Sequence, residues 1–398
     1  MVVRKWKKSI SYRVIFRFPL SVFLCLALCL CASVVPTLSQ DWRTAHDGVE
    51  YAQINHKLGN DPVKINLLRL DLKKVRLDVH HALDKAIGLE TTSSIAKRKG
   101  GVAAINAGFF RLDKSLWAGD TNGVLMVDRV LFSESLSDRT ALFITDYPIM
   151  RFGFGPVRTD LSLEVGGRKL AVNGMNRQRN TDEVIVYTAS FGPKTLTGPE
   201  GIEAVVVKGK ITAVSRTNGN SSIPDGGFVV SANGKYRDEL AWLAPGDEVN
   251  GFFGAYLLIG GDRYELNHVD DIVAGVPQLI KNGKIHITWE QEKASKSFVE
   301  TRHPRTAVAK LPDWKFLMVT VDGRQPGVSV GMTLQELAEY LLSLGAVDAM
   351  NLDGGGSTTM FLDGKVVNTP SDKEGERKIG DAIVVTLRKP ALQKPARK

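Results

Sequence analysis

Turn residues cut this chain into short apolar runs, and no regular helical pattern links one run to the next. PVKINLLRLDL, KVRLDVHHAL, GVAAINAGFF and GVLMVDRVLFS come first, followed by EVIVYTASFG, IEAVVVKGKITAVS, RTAVAK, KFLMVTVDG and DAMNLDG. Runs of this length, rich in Val, Ile and Phe and bounded by Gly, Asn and Asp, read as strands. Lys208-Gly209, Asn282-Gly283 and Asp363-Gly364 each stand between two apolar arms, as a two-residue hairpin turn requires. Helix signals are few. T-L-Q-E at 333–336 is a capping box, with Leu334, Leu337, Ala338 and Leu341 on one face and Gly345 past the end. A weaker helical pattern covers 92–99. Strands outnumber helices and do not alternate with them. The pattern therefore predicts an α+β fold of large antiparallel or mixed sheets with a few flanking helices, and disfavours Rossmann and TIM layouts. No linker or repeat interrupts residues 45–388, which read as one large domain or two closely packed lobes.

Residues 1–39 read as an address. Six basic side chains and no acid occupy the first forty positions, and the run PLSVFLCLALCLCASVV precedes the small, polar VPTLSQ. This is the order of a secretory signal peptide, with Thr37 and Ser39 suited to a cut before Gln40. The alternative is an uncleaved N-terminal anchor, a membrane tether, because the apolar run approaches the roughly 18–20 residues that span a bilayer. Either reading predicts an exported body. All three cysteines (Cys25, Cys29, Cys31) lie in that run, which excludes disulfides, cysteine-ligated zinc and a thiol nucleophile from the body. The net charge of +9 is also confined to the ends: residues 41–387 hold 41 basic against 43 acidic groups. Such a body has no broad basic face for nucleic acid. Residues 389–398 read as a basic, disordered tail that is solvated rather than bound to lipid or polymer.

No phosphate loop, zinc helix or G-x-S-x-G elbow occurs, and the seven histidines are not at ligand spacing. The most distinctive segment is AMNLDGGGSTTM at 349–360. Asn351 and Asp353 would leave one face of an extended chain. Gly354, Gly355 and Gly356 allow close backbone approach and an anion-binding nest, with the Ser357 and Thr358 hydroxyls as further donors. A glycine bulge between strands is the plainer alternative. KFLMVTVDGR places Asp322 and Arg324 at a strand end, and HPRTAVA opens a strand at Arg305 whose hairpin partner is the Asp322 strand. Arg305 and Asp322 are then neighbours at one sheet end, as part of a site or as a plain ion pair. Asn106 interrupts an apolar strand and must either brace backbone or face a ligand.

In order and spacing, INAGFF, GVLMVD, VNGMNRQRNTDEVIVYT, HPRTAVA, VDGR, MTLQELAEYL, NLDGGGSTTM and ERKIGDAIVV resemble the phosphodiester glycosidase family across 48–387. That family includes an enzyme removing N-acetylglucosamine from a mannose phosphodiester, and bacterial members tied to exopolysaccharide biosynthesis. The resemblance implies that Asn106, Arg305, Asp322, Arg324, Asn351, Asp353, the three glycines and Ser357 line the active cleft.

The chemistry this implies has an unusual leaving group. Breaking C1–O in a sugar-1-phosphodiester releases a phosphate monoester whose last pKa is roughly 6, so a strong general acid is dispensable. Arg305 and Arg324 suit bidentate grip of phosphate. Asp353 is favoured as base or nucleophile, and Asp322 as the group orienting an arginine. The reading is an exported hydrolase of sugar-1-phosphodiesters (N-acetylglucosamine-1-phosphodiester-type), acting on a carbohydrate phosphodiester or anionic glycan with no required cofactor. One alternative is a silent anionic-glycan-binding protein assisting exopolysaccharide production. The other is a phosphodiesterase cutting P–O with a divalent cation held by Asp322 and Asp353.

Overall fold

Alternation along four neighbouring strands decides the layering. In the computed structural model, Asp61–Leu70, Phe316–Val321, Arg305–Lys310 and Asp348–Asn351 lie side by side and antiparallel in the middle of an eight-stranded sheet. Leu67, Val319, Ala307 and Asn351 stand opposite one another in one register row; Leu68, Met318, Val308 and Met350 form the next. Successive side chains of a strand leave opposite faces, so the two rows serve two different cores. The first row packs with Leu334, Leu337, Ala338 and Leu341 of the helix Leu334–Ser343. The second packs with Ile105, Met360, Leu362, Ile383 and Val385 of a five-stranded antiparallel sheet. Both faces of the large sheet are thereby covered.

The description covers residues 41–388 except 147, 148 and 260; the signal or anchor segment and the basic tail lie outside the described residues. The described residues form one contact unit. A second eight-stranded sheet, centred on Arg151–Val165 and Val249–Ile259, packs with another five-stranded sheet around a separate core. Within the named strands, Gly174–Met175 beside Val184–Thr188 is the one parallel pair. The fold is thus α+β with mainly antiparallel sheets, as the strand pattern predicts.

The three turn dipeptides close hairpins. Gly201–Val207 pairs with Lys210–Ser215, Gln278–Lys281 with Lys284–Ile285, and Met360–Leu362 with Lys365–Val366. Both central residues of each turn have positive φ, the geometry whose twist matches the flanking strands. The capping box also forms: the Thr333 hydroxyl accepts from the Glu336 N–H at 3.1 Å and Glu336 accepts from the Thr333 N–H at 2.8 Å. Helix Thr92–Arg98 is capped by Thr91.

Two substitutions gauge this layer in chemical denaturation. Leu337→Ala leaves a hole between helix and sheet and is expected to cost about 2–5 kcal/mol. Thr333→Ala removes one cap and is expected to cost about 1 kcal/mol.

Candidate functional site

Strand ends from both central sheets converge here. Ala103–Asn106 runs beside Asp381–Leu387 in the five-stranded sheet, with Asn106 opposite Ala382. From the large sheet come the start of Arg305–Lys310, the end of Phe316–Val321 and the end of Asp348–Asn351. Ala107 joins the two systems. Its N–H donates to the Asp381 carbonyl at 3.0 Å, and its carbonyl accepts the Asp353 N–H at 2.9 Å. Two aspartates therefore flank one residue, with alpha carbons ~10 Å apart if each step equals one strand spacing.

The strand carrying Asn351 ends there, and Asp353 begins a tight turn through a single 3-10 segment, Gly355–Ser357. Asp353 is partly exposed, and its Oδ1 accepts the Gly354 N–H at 2.9 Å. The Gly355 N–H goes to the Pro304 carbonyl at 2.9 Å, that of Ser357 to Gly354 at 3.1 Å, and that of Thr358 to Gly355 at 3.3 Å. These four donors are spent inside the protein, so of the N–H groups at 354–358 only that of Gly356 is left without an observed partner, which is less than the open anion nest that the glycines suggest. The glycines serve close approach instead. Gly355 has φ +60°, and a Cβ there would sit 3.0 Å from Arg324 Nη2; a Cβ on Gly356 would sit 2.1 Å from Arg377 Nη2. Two guanidinium groups thus lie against the turn.

Those two groups differ in commitment. Arg377 is held by Asp372 through bonds of 2.7 and 3.0 Å. Arg324 is exposed, has φ +61°, and its Nη2 lies 3.5 Å from His303 Nδ1. No carboxylate among the described residues forms an ion pair with it.

Four predicted site residues prove to be internal braces. Arg305 is 1% exposed; its Nε donates to the Met332 carbonyl and its Nη2 to those of Phe298 and Thr301, all at 2.8 Å, with the Phe298 ring against the guanidinium. Burial, and then the charge of Arg324, lowers its pKa. A guanidinium engaged in this way holds the 298–304 loop and does not grip phosphate. Asp322 neither pairs with Arg305 nor orients an arginine: its carboxylate accepts from Asn368 Nδ2 and the Thr369 N–H, each at 3.1 Å. Asn106 makes three side-chain bonds, donating to the Asp353 carbonyl at 2.6 Å and accepting from the Thr306 hydroxyl at 2.8 Å and the Thr359 N–H at 3.0 Å. Asn351 is buried and donates to the Val276 and Leu352 carbonyls, each at 2.7 Å. Asn106 thus braces backbone, whereas the Asn351 Oδ1 is buried without a hydrogen-bond partner. The Ser357 and Thr358 hydroxyls are buried and lack hydrogen-bond partners of normal geometry, although Ser357 lies close enough to favour the ionised form of Asp353.

Two carboxyls here are pushed in the same direction. Burial raises Asp353 to about 6, against the Ser357 hydroxyl, the Gly354 N–H and the charge of Arg377. Burial raises Asp381 to about 7, against a hydrogen bond from the Gly108 N–H and with help from the negative charge of Asp353. Asp381 Oδ2 is buried without a partner, which suits a protonated, neutral acid. His303 is lowered by burial and then by the charges of Arg305 and Arg324, so it is neutral at pH 7. Among the described residues no three His, Cys, Asp or Glu side chains gather as a metal site would.

Asp381, Arg377, Asp372 and His303 were not singled out from sequence. A signal existed for one of them. Asp381 heads DAIVV, an acid at the first position of an otherwise apolar strand, where burial forces a perturbed charge.

Residues 200–386 match the profile of the phosphodiester glycosidase family. The chain is 31% identical over 159 residues to the N-acetylglucosamine-1-phosphodiester alpha-N-acetylglucosaminidase of Mus musculus; the match covers 38% of this chain and 30% of that enzyme. A hypothetical Synechocystis protein shares the fold, with TM-score 0.73 and 22% identity over 86% of this chain and 62% of its own. A Burkholderia pseudomallei K96243 protein named as a candidate for export gives TM-score 0.72 and 25% identity over 82% of this chain and 74% of its own. The glycine turn, Arg324 and both aspartates all lie in residues 200–386, the segment that carries a phosphodiester glycosidase domain.

Proposed function

We propose that this chain is an exported hydrolase that cleaves the C1–O bond of sugar-1-phosphodiesters in envelope or extracellular glycans, without a cofactor. The observation that carries this reading is a partly exposed aspartate, Asp353, at the head of a glycine turn against which the guanidinium of Arg324 lies without an ion-pair partner. The matched mouse relative is named for an N-acetylglucosamine-1-phosphodiester, the same class of bond.

Arg324 holds the phosphate, a charge-assisted contact that strengthens as the departing oxygen gains charge. Asp353 works on the sugar side, either activating water or stabilising the cationic anomeric carbon. Asp381 is 0% exposed and cannot touch substrate, so it acts through Asp353. Kept neutral, it adds no negative charge behind a site that must admit an anion. Once ionised, it repels both Asp353 and the phosphodiester.

Release of free sugar from a synthetic N-acetylglucosamine-1-phosphodiester tests the assignment. Asp353→Asn is expected to lower kcat by ~10²–10⁴-fold with the fold intact; undiminished turnover rejects Asp353. Arg324→Ala is expected to lower kcat/KM roughly 10- to 100-fold, and Arg324→Lys to recover part of it. An Arg324→Ala enzyme with wild-type kcat/KM would remove phosphate holding from this residue.

The pH profile checks the two carboxyls. kcat/KM should rise through about pH 6 as Asp353 ionises and fall above about pH 7 as Asp381 does. Asp381→Asn should remove the fall and leave the rise. The same variant bears on stability. A folded pKa raised from the ordinary value of about 4 means stability is full below that value and lost as pH climbs through about 7. Asp381→Asn should therefore raise the melting temperature more at pH 8 than at pH 4. An equal shift at both pH values would contradict burial of an ionisable Asp381.

A further inference from the structure

A polar hollow lies along the chain that leaves this site beyond Gly108. A cleft of about 550 Å³ is lined by residues that include Asp120, Thr121, Asn122, Glu134, Arg177 and Asn180. That volume lies within the ~300–1,000 Å³ usual for small-molecule sites. The cleft connects with the aspartates through one hairpin. Gly108 donates its N–H to Asp381; farther along, the Asn122 N–H donates to the Phe109 carbonyl and the Arg111 N–H to that of Asp120, both at 2.8 Å. Gly108 and Arg111 are three positions apart, a reach of at most ~10 Å.

The charges in the cleft are already matched. Arg177 meets Glu134 at 2.5 Å and Glu183 at 2.8 Å. Arg111 meets Asp113 at 2.5 Å and donates to Gln178 at 2.6 Å. No lining arginine is left for a phosphate or sulfate. What remains unspent is uncharged or close to it. Thr121 is 8% exposed, and its hydroxyl has no partner. The Asp120 carboxyl receives no hydrogen bond from a described side chain, and burial followed by the charge of Glu134 raises it to about 7, so that it both donates and accepts. Asn180 stands exposed at the rim. A carboxyl and amides lining one hollow, with an unpartnered hydroxyl just beneath its surface, suit a ligand that is itself a set of hydroxyls.

We infer that this cleft binds a neutral sugar ring, one unit removed from the bond that is cleaved. The placement rests on the proposed function: with phosphate at Arg324 and the reacting carbon at Asp353, a further ring reaches along the hairpin to Asp120 and Thr121. The substrate is then an oligosaccharide or polymer carrying the phosphodiester, not an isolated sugar phosphate.

Binding is measured apart from turnover, by saturation-transfer and ¹⁵N-shift titration of the full chain with chitotriose, maltotriose and cellotriose. None of the three has a phosphodiester, so binding proceeds without cleavage. At least one is expected to bind saturably, to shift amides of 120–122 and 177–180, and to bind tenfold or more weakly to Thr121→Val and Asp120→Ala. The shift map gives the answer even where a variant fails to fold. Absence of saturable binding by all three overturns the inference. Shifts confined to the glycine turn, affinity unchanged in both folded variants, or binding of glucose-1-phosphate alone would do the same. The two readings fail separately. A chain that binds trisaccharide but never hydrolyses a sugar-1-phosphodiester loses the proposed function, whereas one that hydrolyses but binds no trisaccharide loses only this cleft.

Discussion

The side-chain amide of Asn106 ties three parts of the molecule to one point. Its nitrogen donates to the Asp353 carbonyl, while its oxygen accepts from Thr306 in the large sheet and from the Thr359 N–H just beyond the glycine turn. All of this is buried, where water cannot replace a lost partner and each orphaned group costs about 1–3 kcal/mol. The turn is therefore fixed relative to both sheets, and Asp353 is presented at a set position on a loop that would otherwise wander. The neighbouring Ala107 adds the second constraint by bonding to Asp381 on one side and Asp353 on the other. Most of the site's geometry follows from these two residues.

The site also separates charges that hold structure from charges left free. Asp322 and Arg324 are two residues apart, yet the first is 1% exposed and bound to the 368–369 segment while the second lies in the open. Gly323 makes this reversal possible, since a Cβ there would lie 2.8 Å from the Pro304 nitrogen. Arg305 is drawn inward by three carbonyls, which leaves Arg324 as the guanidinium available to an anion. A grip with one free arginine is a simpler device than the two-arginine clamp suggested by the motifs.

The strands, hairpin turns and capped helix were legible because local rules govern them: two-residue periodicity, left-handed turn positions and a Thr-to-Glu cap. The site was legible as a set of segments but not as a set of roles. Nothing near Arg305 in the sequence shows that its acceptors will be the carbonyls of Phe298, Thr301 and Met332. Nothing near Asp322 points to Asn368 and Thr369, more than forty positions away. Whether a polar group at a strand end turns inward or outward depends on such distant partners. Asp381 was obscured for the same reason, because its importance comes from Gly108 and Asp353 and not from its neighbours in DAIVV.

The central claim is that the bond broken lies on the sugar side of the phosphodiester, and one isotope experiment addresses it directly. Hydrolysis of a synthetic sugar-1-phosphodiester in ¹⁸O-enriched water, with both products analysed by mass, shows which atom accepts the water oxygen. The account predicts the label at C1 of the released sugar and none in the phosphate monoester. Label in the phosphate would mean P–O cleavage and would contradict the roles given to Asp353 and Arg324.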